Sequence, residues 1–74
     1  MKNQMTKRMA NRMFTIMAKK GVTTSQICKL LNVSYPDFIS ATEGLHQFYG
    51  KWQKKIAELL EVDREELFRE FKEN

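Results

Sequence analysis

Residues 23–44 read TTSQICKLLNVSYPDFISATEG, and the fold is decided here. Thr23 fits a helix N-cap, and Gln26 three residues on completes a capping box. Ile27, Leu30 and Leu31 then recur at helical spacing, with Cys28 at a small-residue position beside them. The pattern predicts a helix over about Ser25 to Leu31. Asn32 stands where that helix ends, since asparagine tolerates the left-handed conformation of many helix C-termini. Val33 is the expected buried pivot of a short turn. Ser34 opens a second helix, over about Tyr35 to Glu43, with Asp37 as its capping partner. Pro36 falls in the first turn, where its missing N–H costs little. Phe38 and Ala41 face the core. Two short helices, a tight turn and a small apolar pivot describe a helix-turn-helix.

Working outward, the spacing predicts five helices and no strand. The first runs from about Asn3 to Lys20 and stops at Gly21. A loop from Gly44 to Gly50 carries Leu45, Phe48 and Tyr49, and Phe48 or Tyr49 fills the gap beneath it. The fourth helix covers about Lys51 to Glu61. The fifth follows Asp63, with Glu66 as its capping-box partner, and continues toward Phe71. Periodicity assigns Met9, Met13, Ile16 and Met17 to one buried face, Trp52, Ile56, Leu59 and Leu60 to a second, and Leu67, Phe68 and Phe71 to a third. The methionines at 5, 9, 13 and 17 drift by about 40° per step, so their stripe winds around the helix. Met5 lies before the rest of the core and has little to pack against.

The chain has 74 residues, which is one domain, 1–74, with 1–8 as a basic extension of the first helix. A core of this size stabilises by about 3–5 kcal/mol. One cysteine forms no internal disulfide and suits a reducing, cytoplasmic setting. No apolar run reaches membrane-span length and no secretory signal is visible, so neither a membrane nor export is expected. The net charge of +4 is unevenly spread. Residues 1–36 hold seven Lys or Arg and no acid, whereas residues 51–74 hold six bases against seven acids. A one-sided basic half predicts a phosphate-facing surface.

The ordered motifs resemble the lambda-repressor/Cro-like (XRE) family of DNA-binding domains over roughly Met9 to Phe68. Lys20-Gly21-Val22-Thr23 is similar to the family's Lys-Gly-hydrophobic-Thr. Ile27-Cys28 stands for its Leu-Ala, and Asn32-Val33-Ser34 for its Gly-Val-Ser turn. Glu43-Gly44 matches its helix-three ending. Ile56, Ala57, Leu60 and Val62, then Leu67 and Phe68, match its closing helices. The resemblance implies an all-α, five-helix domain whose third helix lies in the major groove of double-stranded DNA. It places Tyr35, Pro36, Asp37, Ile39 and Ser40 at base-facing positions. That helix holds no Arg, Lys, Asn or Gln. Bidentate guanine contacts are therefore absent from it. Ser40, Ile39 against a thymine methyl, and Asp37 toward cytosine remain.

The phosphate candidates are stronger. Thr24, Ser25 and Gln26 open the second helix, with Lys19 and Lys20 before them, and Gln47, Lys51, Lys54 and Lys55 stand beyond the third helix. Lys2, Lys7 and Arg8 form a basic arm suited to a minor groove. The reading is a small transcriptional regulator of phage or mobile-element type that occupies an operator, as a repressor does. A homodimer is expected through Phe68 and Phe71, or through Met5. The other reading is a protein-binding module, an antirepressor or inhibitor, engaging a protein partner through Tyr35, Ile39 and the loop Leu45–Tyr49. Cys28 fits a packed core thiol. His46 has no metal-spaced companion, so no metal or cofactor is expected. No nucleophile–base pair argues for an enzyme.

Overall fold

Local capping chemistry sets the start of four of the five described α-helices and the left-handed stop of three. The computed structural model describes residues 4–72. Among them the protein is all-α: α1 Lys7–Lys20, α2 Thr24–Leu31, α3 Tyr35–Thr42, α4 Gly50–Leu60 and α5 Arg64–Leu67, closed by a 3₁₀ turn, Arg69–Lys72. Thr23 and Gln26 form the reciprocal capping box: Thr23 Oγ1 accepts from the Gln26 N–H at 3.2 Å, and Gln26 Oε1 accepts from the Thr23 N–H at 2.7 Å. Ser34 caps α3 by accepting from the Asp37 N–H at 3.3 Å.

Three helices stop in the same way. Gly21, Asn32 and Glu61 adopt left-handed φ of 71°, 57° and 59°. The valine after each then donates back to the helix, Val22 to Met17, Val33 to Cys28 and Val62 to Ala57, at 2.9–3.0 Å. These are Schellman stops, and each valine packs half-buried against the core, as the motif requires. Val33 is thus a stop residue and only partly a pivot.

Several boundaries differ from expectation. α1 begins at Lys7 because Thr6 caps it, its hydroxyl accepting from the Met9 N–H at 3.2 Å. The expected start at Asn3 lies outside the described residues, and residues 4–6 are not helical. The Asp63 side chain accepts from the Glu65 N–H at 3.3 Å, whereas the Glu66 N–H donates to the Asp63 carbonyl. α5 lasts one turn and gives way to the 3₁₀ turn. That tighter winding eclipses residues three apart. It stacks Phe68 on Phe71, with centroids 6.0 Å apart at 14°.

The core is built around Met9, Met13, Ile27, Phe38, Phe48, Ile56, Leu60 and Leu67, all essentially unexposed. Phe48, and not Tyr49, fills the space under the loop. Ile16 and Trp52 are half-buried, and Leu59, expected inside, is 40 % exposed. Met5 is 4 % exposed. Its carbonyl oxygen lies 2.9 Å from where a Cβ on Gly44 would stand, and Gly44 has a φ of +79°. A side chain at position 44 is excluded on both counts.

The C-terminal turn is tied to α1. Arg12 donates to both carboxylate oxygens of Glu70, at 2.7 and 3.0 Å, and to the Leu67 carbonyl at 2.7 Å. The hydrogen bonds from Arg12 hold the Glu70 carboxyl below its ordinary range. A carboxyl held low stabilises the fold above its unfolded-state pKa and loses that contribution as pH falls through the folded-state value. Glu70→Gln should therefore cost roughly 1 kcal/mol at pH 7, the upper end for a partly exposed pair. The deficit should shrink as pH drops below about 4. Urea melts of both proteins at neutral and acid pH measure this, and a pH-independent deficit contradicts it.

Glu61 supplies a second expectation. A glutamate in the left-handed region is strained where glycine is not. Glu61→Gly should stabilise the protein by about 0.5–1 kcal/mol. A melting temperature unchanged or lowered would show that the stop carries no strain.

Candidate functional site

The residues singled out in the sequence fall into three groups. The first surrounds the junction of α1 and α2. Lys19 and Lys20 end α1 and are exposed, as are Ser25 and Gln26, whereas Thr24 is half-buried. The Gln26 carbonyl oxygen is taken up by the cap, where it faces both the Thr23 N–H and its hydroxyl. Only its amide N–H₂ remains to meet an anion.

The second group is α3. Tyr35, Pro36 and Asp37 are exposed, Tyr35 by 60 %. Ile39 and Ser40, expected to stand free, are half-buried. Ile39 packs against the core and lines a groove with Phe14 of α1. The Ser40 carbonyl accepts from Glu43 and Leu45 as the chain leaves the helix. Ile39 is therefore turned toward α1, and the freely exposed part of α3 narrows to its first turn.

The third group begins α4. Gln47, Lys51, Lys54 and Lys55 are exposed, and the lysines share one flank at i, i+3 and i+4 spacing. α2 packs against both α3 and α4, and α1 against α4, so the three groups stand on helices packed in one domain.

Arg64 joins the third group and was not among the sequence candidates. Gln53 is 1 % exposed in the middle of α4. Its Nε2 donates to the Phe48 carbonyl at 2.9 Å. Its Oε1 accepts from Nε and Nη2 of Arg64, both at 3.3 Å. The guanidinium thereby rests over the first residue of α4, with Nη2 3.5 Å from a Cβ built on Gly50. Tyr49 provides no side-chain cap there. Arg64 is a cation held at the first residue of α4, next in sequence to Lys51. The readable signal was Gln53 itself, a polar residue in the Ile56, Ala57, Leu60 register, which must find partners when buried.

The residues expected at a contact with a second copy are largely enclosed within this chain. Phe68 is 2 % exposed and Met5 4 %, because both belong to the chain's own core. Phe71 is half-buried, its ring 6.4 Å from Phe48. Lys2 of the proposed basic arm lies outside the described residues, while Lys7 and Arg8 are exposed. Burial pushes the Cys28 thiol pKa up, which disfavours the thiolate. His46 is half-buried, its Nδ1 3.3 Å from the Gln47 carbonyl. Among the described residues no three His, Cys, Asp or Glu side chains gather as metal ligands. No described helix is long and apolar enough to cross a membrane. Comparisons with protein families, curated proteins and solved structures return no match for this chain.

Removing the support of Arg64 tests its position. Gln53→Leu keeps an apolar core residue and releases the guanidinium. It also leaves the Phe48 carbonyl without its buried donor, a loss of about 1–3 kcal/mol. Arg64→Ala should cost less than Gln53→Leu in stability, because it keeps the Gln53 bond to the Phe48 carbonyl and opens the Gln53 Oε1 to water in place of the exposed guanidinium. Chemical denaturation decides the order, and equal losses would mean that Gln53 serves only to seat Arg64.

Proposed function

We propose that this chain is a small DNA-binding regulator of the helix-turn-helix class that acts by occupying an operator. What supports it most is the set of cations free of carboxylate partners: Lys19, Lys20, Lys51, Lys54 and Lys55 form no ion pair among the described residues. They stand on the elements that flank α3, where the capped α2–turn–α3 unit presents its second helix. Lysines in this setting bind phosphates and position a protein without reading bases. Direct readout is thin. Tyr35, Pro36 and Asp37 are the exposed first turn, Ser40 is half-buried, and Ile39 faces the groove. Affinity then comes mainly from the backbone, and sequence preference mainly from duplex shape. Two copies on half-sites about 34 Å apart raise affinity over one.

A second reading is favoured by one observation. The exposed face of α3 carries a tyrosine and an acid and no long cationic or amide side chain, and Leu45 and Tyr49 nearby in sequence are 69 % and 45 % exposed. Such a face suits a protein partner, as in an antirepressor. A selection from a random duplex library at low salt separates the two. Enrichment of any sequence supports the operator reading, and none at high protein concentration moves the assignment to the protein-binding class.

On the DNA reading, Lys20→Ala with Lys51→Ala should weaken binding to all duplexes alike. It should also flatten the dependence of log K on log salt by about two units, roughly 0.9 per phosphate contact. Both side chains are exposed, so the fold is retained. An unchanged slope places these lysines off the DNA.

A further inference from the structure

The groove that takes Ile39 has a polarity of its own. Gln4 donates to the Gly44 carbonyl at 3.3 Å, and the Met5 carbonyl abuts Gly44. The chain just before α1 therefore meets the chain just after α3, and Lys7, Ala10 and Phe14 line one groove together with Ile39, Thr42 and Glu43. Lys7 and Glu43 share the junction end. Phe14 lies two turns further along α1, about 10 Å away, and Ile39 one turn back along α3, about 6 Å. The space between them is a groove of about 380 Å³. Small-molecule sites begin at about 300 Å³.

Its floor is apolar or satisfied. Ala10 is buried, and Phe14 and Ile39 lean on the core. Thr42 is buried, with its hydroxyl donating to the Ile39 carbonyl at 2.7 Å. Its junction end carries one cation and one anion that make no salt bridge to each other or to any other described residue.

We propose that this groove binds a free α-amino acid with a large apolar side chain. The ligand carboxylate meets Lys7, its ammonium meets Glu43, and its side chain lies between Phe14 and Ile39. The charges select the class. A simple carboxylate satisfies Lys7 and is repelled by Glu43, and a simple amine meets the converse. A zwitterion satisfies both from adjacent atoms and leaves its apolar part to point along the groove. A second copy of the chain is a poor occupant, because a stable interface needs about 20–30 residues a side and the groove is a short cleft. The site itself does not rest on the DNA reading. Only the consequence that its occupant sits against α3, and so bears on DNA affinity, rests on that reading.

The experiment is an amide-resolved NMR titration of the full chain, without DNA, with L-phenylalanine and L-leucine. Glycine, N-acetyl-L-phenylalanine and L-phenylalaninamide serve as probes lacking the side chain, the ammonium and the carboxylate. Saturable shifts centred on Lys7, Ala10, Phe14, Ile39 and Glu43 are expected, with a dissociation constant on the order of 1 mM for a ligand of this size. The three altered probes should each bind at least about fivefold more weakly. Lys7→Ala and Glu43→Gln, both at exposed positions, should weaken L-phenylalanine to a similar extent while the remaining spectrum stays unchanged. Shifts that never saturate overturn the proposal. So does blocked phenylalanine binding as well as the free amino acid. Shifts at the groove that follow protein concentration in the absence of ligand also overturn it, in favour of a second copy.

Discussion

The ring of Phe48 is completely enclosed, although the residue belongs to the irregular segment between α3 and α4. Phe38 of α3 lies 6.2 Å from it, Trp52 of α4 5.6 Å, Phe68 5.5 Å and Phe71 6.4 Å. One side chain thus joins α3, α4 and the C-terminal turn, and its backbone carbonyl is the acceptor that orients Gln53. The start of α4, with Lys51 and the seated Arg64, takes its position from this burial. Truncating a buried phenylalanine costs about 3–5 kcal/mol. That equals the whole stability expected of a core this small, about 3–5 kcal/mol. The loop is therefore as structural as any helix.

What the sequence revealed best is what depends on neighbours within four residues. The Thr23–Gln26 box, the Ser34 cap, the stop at Asn32 and the Met9, Met13, Met17 face of α1 all follow from local chemistry. The misses are non-local. Met5 looked unpartnered because its partner region, around Gly44, is some forty residues away and meets it only in the folded chain. The choice between Phe48 and Tyr49 stayed open because adjacent aromatics in a loop carry no period. Leu59 follows a helical register yet is exposed, since α4 buries a narrower stripe centred on Gln53, Ile56 and Leu60. In sequence α5 continues unbroken toward Phe71, because 3₁₀ winding leaves the same i, i+3 spacing as the first half of an α pattern.

The same distinction governs the candidate site. Residue types at α3 and the start of α2 were readable, but their direction was not. Ile39 is on α3 by any reading, and only the approach of α1 determines that it lines a groove with Phe14. Gln26 is at the start of α2 by any reading, and its role in the cap occupies the carbonyl oxygen. Helix capping and anion binding compete for the same backbone donors, so a well-capped N-terminus is a weaker anion site than its sequence implies.

Charge along the chain and charge in space also diverge. Residues 1–36 contain no acid, so a base there finds a carboxylate only from the far half of the chain. Arg12 does so, through Glu70, and thereby leaves the set of cations free to meet a ligand. Arg64 makes the opposite move. It stands beside Glu65 and Glu66 in the acidic segment, yet its guanidinium turns to the neutral amide of Gln53 and comes to rest at the start of α4. One base is withdrawn from the basic half and another is delivered from the acidic half. Tertiary hydrogen bonds thus decide the place of both guanidiniums. A screened surface field falls off within about 8–10 Å at ordinary salt. Where each guanidinium is anchored therefore matters more to a phosphate than which half of the sequence supplied it.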